Sequence, residues 1–299
     1  MIKSDLINFN STPSFISLLE LTKPVTWFPP MWAFLCGVVS VGGFNSDNFI
    51  IILAGLILAG PLVCGMSQAV NDWCDRHVDA INQPERPIPS GRVTARWGFF
   101  TGITMSFMSI LFAYYLGSLI FFATIAGVLA AWLYSLEPIR LKRSAILGPG
   151  TVAICYEGLP WFTGAAIFTV SLPSKEILMV LTLYALGAHG IMTMNDFKAT
   201  KGDKLLGVNS LPVILGSKSA TLVACLTMLC PQLIVISLFF FWGFSILVAT
   251  LAACVLLQAL TMIFLLRDPE KNTPFFNMTG VLLYITGMML SANGLYLMN

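Results

Sequence analysis

Charge is what this chain has least of. Asp, Glu, Lys and Arg make up 10% of its 299 residues while 57% are hydrophobic, against roughly a quarter charged in an average soluble domain. With a mean hydropathy of +0.84, that scarcity excludes an ordinary water-soluble globule and leaves a polytopic membrane protein. Histidine occurs twice, at His77 and His189, too few for a histidine-built metal centre. The seven cysteines, Cys36, Cys64, Cys74, Cys155, Cys225, Cys230 and Cys254, contain no CxxC pair and no extracellular cluster, which argues against a zinc ribbon or a disulfide framework and reads as buried free thiols. The net charge of +2 is too small to suggest nucleic acid as a partner. No short apolar core followed by a small-residue cleavage site stands at the amino end, so the first span reads as retained.

What is abundant is apolar sequence in stretches of about 20 residues, the length that crosses a ~30 Å hydrocarbon core. They centre on 25–44, 48–70, 97–115, 117–136, 147–170, 175–194, 219–239, 241–266 and 275–297. The expected architecture is therefore one all-α membrane-embedded domain, 1–299, of nine transmembrane helices, with 1–20 as an amino-terminal tail. A count of seven or eight stays open, because the third and fourth spans, and the seventh and eighth, are nearly contiguous. Charge placement favours nine: with alternating spans, every Lys and Arg except Lys175 falls in the amino-terminal segment or in the loops 71–96, 137–146, 195–218 and 267–274, all on one side. The positive-inside rule makes that side cytoplasmic and puts the carboxyl terminus opposite. The bilayer is the first partner, and a positive face of this kind meets anionic lipid or an anionic substrate.

The few charges cluster. Residues 71–92, NDWCDRHVDAINQPERPIPSGR, follow the second span, and Asn195-Asp196 echoes Asn71-Asp72 after the sixth. If the second helix continues through residue 79, a rotation of about 100° per residue puts Asp75, Gln68, Asp79 and Asp72 at about 40°, 60°, 80° and 100° from Asn71, one polar stripe that His77 and Trp73 do not share. The same count on a continued sixth helix groups Asp196, Thr200 and Asp203. Five carboxylates on two facing stripes repel one another unless a hard cation with oxygen ligands binds, and Mg2+ fits because it is commonly shared between a few carboxylates and a substrate phosphate. Candidate metal ligands are Asn71, Asp72, Asp75, Asp79, Asp196 and Asp203. Nine basic residues lie beside them: Arg76, Arg86, Arg92, Arg140, Lys142, Arg143, Lys198, Lys201 and Lys204. Of these Arg86 and Lys142 are the preferred phosphate contacts.

The run NDxxDxxxD, then RPIPSG and YSLEPIRLKR, resembles the UbiA-type intramembrane prenyltransferases. Within them it resembles the chlorophyll and bacteriochlorophyll synthases, and the stretches NDWCDRHVDAIN, CYEGLPWFTGAA and NDFK followed by GD and SLPV are most similar to the bacteriochlorophyll branch. The likeness spans roughly residues 20–290. It implies a helical bundle around a central cavity, in which two Mg2+ ions hold a prenyl diphosphate and the acceptor is a magnesium tetrapyrrole, bacteriochlorophyllide, whose propionate is esterified. An enzyme of that kind would work among other pigment-biosynthesis proteins in a bacterial plasma or intracytoplasmic membrane. Chlorophyllide, 4-hydroxybenzoate, homogentisate or haem are alternative acceptors, and a transporter is a further reading, for which only Glu157 supplies a charge near the membrane midplane.

In that chemistry Asp72, Asp75 and Asp79 act through the metal, Arg86, Arg140, Lys142, Lys198 and Lys201 contact diphosphate, and the ring of Tyr134 faces the allylic cation. Glu157, an acid inside the fifth span, is a candidate for positioning the acceptor. His189 and His77 are candidate ligands of the pigment metal, and Trp27, Phe28, Trp161 and Phe162 candidate walls of a flat cavity. The chain departs from the family at the second motif, where Thr200 stands four residues after Asp196 and Lys201 stands before Gly202-Asp203.

Overall fold

The structure is a computed structural model that describes residues 12–169, 171–198, 200, 204 and 207–298. The described residues are helical with short connections. In order they form α1 (Phe15–Leu21), a 3-10 turn (Pro24–Trp27) leading into α2 (Phe28–Ser40), α3 (Phe49–Ile57), α4 (Gly65–Asn82), α5 (Ala95–Leu116), α6 (Ser118–Ser135), α7 (Leu147–Ala153), α8 (Leu159–Ala166), α9 (Lys175–Asn195), α10 (Leu211–Leu215), α11 (Ser217–Phe241), α12 (Ser245–Arg267) and α13 (Pro269–Tyr296).

Two of these junctions are π-helical. Leu58–Cys64 joins α3 to α4 and contains Pro61, and Ile154–Gly158 joins α7 to α8 just before Pro160. A proline inside a helix has no N–H to bond back and crowds the carbonyl four residues earlier, so the winding loosens there. The chain stays helical through both, and each loosened turn displaces side chains relative to a regular α-helix.

Among the described residues seven helices are long and apolar enough to cross a membrane: Ser46–Asn82, Ala95–Leu116, Ser118–Ser135, Lys175–Asn195, Ser217–Phe241, Ser245–Arg267 and Pro269–Tyr296. Seven qualify by that measure, not nine. The other two expected spans fall on Pro24–Ser40, which is short, and on Leu147–Ala166, which carries Glu157, Pro149 and Pro160. The near-contiguous pairs are separate helices, because Gly117 (φ 132°) divides α5 from α6 and Gly243 (φ 86°) divides α11 from α12. Both glycines take backbone angles that side-chain-bearing residues rarely adopt.

Without water to drive apolar surfaces together inside a bilayer, small residues at the contacts let backbones approach closely. A Cβ added to Gly164 would lie 2.0 Å from the Phe34 carbonyl oxygen, and one on Gly37 would lie 2.1 Å from that of Trp161. Helices α2 and α8 therefore pack backbone to backbone. Interhelical hydrogen bonds reinforce the bundle: the Trp161 indole donates to Ser40 Oγ at 3.0 Å, the Trp32 indole to the Ile285 carbonyl at 3.0 Å, and the Tyr284 hydroxyl to the Tyr184 carbonyl at 2.5 Å. The main core joins α2, α8, α9, α11, α12 and α13, and smaller clusters pack α4, α5 and α6.

Gly164→Ala is expected to cost about 1–3 kcal/mol, because the added methyl meets backbone rather than a movable side chain. Thermal unfolding in detergent checks this, with a lowered Tm as the expected result.

Candidate functional site

Helix α4 runs unbroken through Asn82, as the polar stripe requires, and its acids are placed as one face. Asp72 is fully buried and Asp79 5% exposed, an arrangement that water alone cannot sustain. Cations from three loops meet them. Lys23 Nζ lies 2.6 Å from Asp72 Oδ1; Arg86 Nη1 lies 3.2 Å from the same oxygen and 2.6 Å from Asp79 Oδ2. Arg140 Nη2 lies 2.9 Å from Asp75 Oδ1, and the Lys142 ammonium contacts both Asp75 oxygens. Asn71 Nδ2 donates to Asp75 Oδ2 at 3.1 Å and to Ser135 Oγ at 3.2 Å. Burial pushes the Lys142 ammonium below the ordinary lysine range, opposed by the Asp75 carboxylate beside it.

The loops are shaped for these contacts. Arg86 sits in a turn in which the Arg86 N–H donates to the Gln83 carbonyl and Ser90 N–H to that of Arg86. Ile88 and Val93 then anchor the turn against Leu21 and Ala69. Lys23 (φ 45°) and Arg140 (φ 40°) are the non-glycine residues with left-handed backbone among those described, a conformation that costs energy and persists where its surroundings enforce it. Each of the two carries its side chain onto an aspartate of α4.

Beyond Asn71 opens a cavity of about 250 Å3 between the Leu58–Asn71 stretch, α6 and the α7–α8 run. Asn71, Gln68, Tyr134 and Tyr156 are its polar lining, and Leu58, Val63, Gly127 and Leu159 are among its apolar lining. Both π segments contribute to the wall. Sequence reasoning had placed Tyr134 here and Gln68 on the stripe. It had missed Tyr156 as a lining group and Lys23 as a partner of the acids, having counted Lys23 only toward topology. The signal for Tyr156 was present in Pro160, whose effect on the preceding turn moves the tyrosine.

Other expected residues lie elsewhere. Arg76 donates to the Trp73 carbonyl at 2.7 Å, Arg92 pairs with Glu20, and Arg143 with Glu137, so three of the nine basic residues serve other partners. Glu157 is 3% exposed, is not a lining residue, and its Oε2 has no hydrogen-bond partner. His189 is held by the Ile146 carbonyl at 3.2 Å on Nε2, with Thr193 Oγ1 at 3.5 Å from Nδ1. His77 is exposed. Trp161 is fully buried in the core.

The second motif is described only in part. A stripe through Asp196, Thr200 and Asp203 presumes a continued α-helix, but α9 ends at Asn195 and gives way to a 3-10 turn at Asp196–Lys198. Thr200 is again helical, and its Oγ1 donates back to the carbonyls of Asp196 and Phe197 at 3.3 and 3.0 Å, a back-bond that bends a helix. Lys201, Asp203 and the Lys198 side chain lie outside the described residues. Among the described residues no three His, Cys, Asp or Glu side chains come together as a ready metal cluster. The donor chemistry of α4 nonetheless suits a hard cation: its ligands are carboxylate and amide oxygens, and Asp72 Oδ2 is buried without any partner, a lone-pair site that a cation would satisfy.

The sequence profile of the UbiA prenyltransferase family matches residues 26–286. The chain belongs to the UbiA prenyltransferase family. Membership makes it a membrane-embedded prenyltransferase and bears out the resemblance drawn from NDxxDxxxD and YSLEPIRLKR. Within the family it is similar to the bacteriochlorophyll synthase 33 kDa chain of Cereibacter sphaeroides, 55% identical over 282 residues, 94% of this chain and 93% of that one. It is also similar to the chloroplastic chlorophyll synthase of Oryza sativa, 32% identical over 284 residues, 92% of this chain and 75% of that one. A UbiA homolog from Archaeoglobus fulgidus bound to GPP and Mg2+ shares the family fold, with a TM-score of 0.69 at 16% identity, covering 91% of this chain and 99% of that one.

Asp72 keeps Arg86 when Lys23 is removed, so Lys23→Met should lower stability by about 1–3 kcal/mol, the cost of an under-satisfied buried charge. Adding Asp72→Asn should recover part of that loss. Denaturation of the three variants in detergent gives the coupling.

Proposed function

We propose that this protein esterifies the propionate of bacteriochlorophyllide with a geranylgeranyl or phytyl group taken from the prenyl diphosphate, releasing diphosphate. The observation that carries the reading is the junction of a dense acid–base cluster with an apolar cavity at Asn71, which matches a substrate with an anionic head and a long hydrocarbon tail. The 55% identity to a bacteriochlorophyll synthase chain over nearly the whole length supports the tetrapyrrole acceptor over smaller aromatic ones. The tail lies along Val63, Gly127 and Leu159, and the head meets Arg86, Arg140 and Lys142.

Asn71, Asp72, Asp75 and Asp79 would hold Mg2+, with Asp196 and Asp203 as further ligands from the second motif. When bound, the metal neutralises the diphosphate and so eases its departure. Arg86, Arg140 and Lys142 sit on the carboxylates of α4, and diphosphate oxygens compete for the same guanidinium and ammonium groups. Lys198 and Lys201 join from the third loop. The allylic C–O bond breaks with its electron pair leaving on the diphosphate, and the Tyr134 ring faces the resulting cation. The apolar wall excludes water that would otherwise trap the cation as an alcohol. A propionate is already ionised at neutral pH, so the chain needs no general base. The basic loops support a site that faces the cytoplasm from a bacterial inner membrane.

Membranes containing the protein, supplied with bacteriochlorophyllide a, Mg2+ and geranylgeranyl diphosphate, should yield esterified pigment on chromatography. No ester from any tetrapyrrole offered overturns the reading. Asp75→Asn should insert normally and turn over at least ~100-fold more slowly, from lost electrostatic stabilisation of the leaving group; near-normal turnover would remove Asp75 from the metal site.

A further inference from the structure

Tyr156 belongs to the π segment Ile154–Gly158, and its side chain lines the cavity on the wall opposite α4. Pro160 has no N–H to give the Tyr156 carbonyl, and the loosened turn brings position 156 toward α4. There its hydroxyl oxygen accepts a hydrogen bond from Gln68 Nε2 at 2.9 Å and one from Cys64 Sγ at 3.4 Å. Gln68 precedes Asn71 by three residues on the same helix, so the hydroxyl sits about one turn, ~5 Å, deeper than the diphosphate end of the cavity. That is the level of the first carbons of a bound prenyl group, where the acceptor must attack.

A neutral phenol has one O–H to give, and its acceptors here are uncharged: the side chain of Thr26, which is also hydrogen-bonded to Tyr156, and the Cys64 sulfur, whose own S–H is within 3.3 Å of the Thr26 carbonyl. Gln68 fixes the phenol oxygen, and an ionised carboxylate, a stronger acceptor than a hydroxyl or a thiol, takes the proton's hydrogen bond from them.

We infer that Tyr156 donates its O–H to the carboxylate of the acceptor and holds one carboxylate oxygen against the reacting carbon. This rests on the reading of the acceptor as a propionate-bearing tetrapyrrole. The second carboxylate oxygen forms the new C–O bond as the bond to diphosphate breaks, the diphosphate departs with the electron pair, and the Tyr156 proton stays on the phenol throughout. The acceptor-holding role thereby passes from Glu157, which is buried away from the cavity and would repel a carboxylate if ionised, to its neighbour in sequence.

Tyr156→Phe keeps the ring and removes the donor. It should raise the KM for bacteriochlorophyllide a by ~10- to 100-fold, the loss of one hydrogen bond to a charged group, and leave the KM for geranylgeranyl diphosphate unchanged. Fluorescence titration of the pigment supplies a second readout: the wild-type protein should bind bacteriochlorophyllide a more tightly than its methyl ester, and Tyr156→Phe should lose most of that preference. An unchanged acceptor KM and an undiminished preference for the free acid, with wild-type esterification intact, overturn the inference alone. A raised KM for the diphosphate instead would move Tyr156 to the donor substrate. Absence of wild-type esterification overturns the reading of the acceptor and the inference with it.

Discussion

Three aspartates on one face of α4 at the end of a membrane-spanning helix are the constraint on which the rest of the site depends. Asp72 is fully buried and Asp79 nearly so, and isolated carboxylates in such surroundings carry a desolvation cost of several kcal/mol each. Lys23, Arg86, Arg140 and Lys142 offset that cost from three separate loops. The loops accept unusual backbone to do so: Lys23 and Arg140 are both left-handed. The ion pairs fix the loops against α4 and keep the acids preorganised. They also bring together, within one cluster, the two sets of groups that a metal diphosphate requires, oxygens for the metal and cations for the phosphates.

The cavity itself follows from proline. Pro61 and Pro160 lie in or next to the two π segments, and residues of both segments form its wall. Where α2 and α8 need no space, Gly37 and Gly164 let the backbones touch; where a substrate needs it, Gly127 and Ala131 of α6 face the void. Close packing and open volume thus come from the same class of small residues, decided by which helix stands opposite.

Much of this was legible in the chain. The apolar runs located the helices to within a few residues, and rotation about α4 placed Asn71, Asp72, Asp75 and Asp79 on one face because a regular helix has a fixed period. The change of winding after Asn195 was not legible, since the 3-10 turn at Asp196–Lys198 turns through a different angle per residue and no residue type there announces it. Long-range pairings were also hidden: nothing local marks Lys23 as the partner of a residue 49 positions away, whereas the positive-inside rule accounts for it equally well. Tyr156 was hidden by its neighbour, because an acid inside a span draws attention that a tyrosine does not, and only the displaced turn decides which of the two faces the cavity.

On the proposed reading, the carboxylates of α4 are satisfied by protein cations until a diphosphate competes for those cations, and metal and diphosphate then bind together. Titration calorimetry of Mg2+ into the detergent-solubilised protein, with and without the unreactive analogue geranylgeranyl thiodiphosphate, tests this directly. The account predicts Mg2+ affinity at least ~10-fold higher when the analogue is present, within the usual range of coupling between two ligands. Equal Mg2+ affinity in its absence would contradict it.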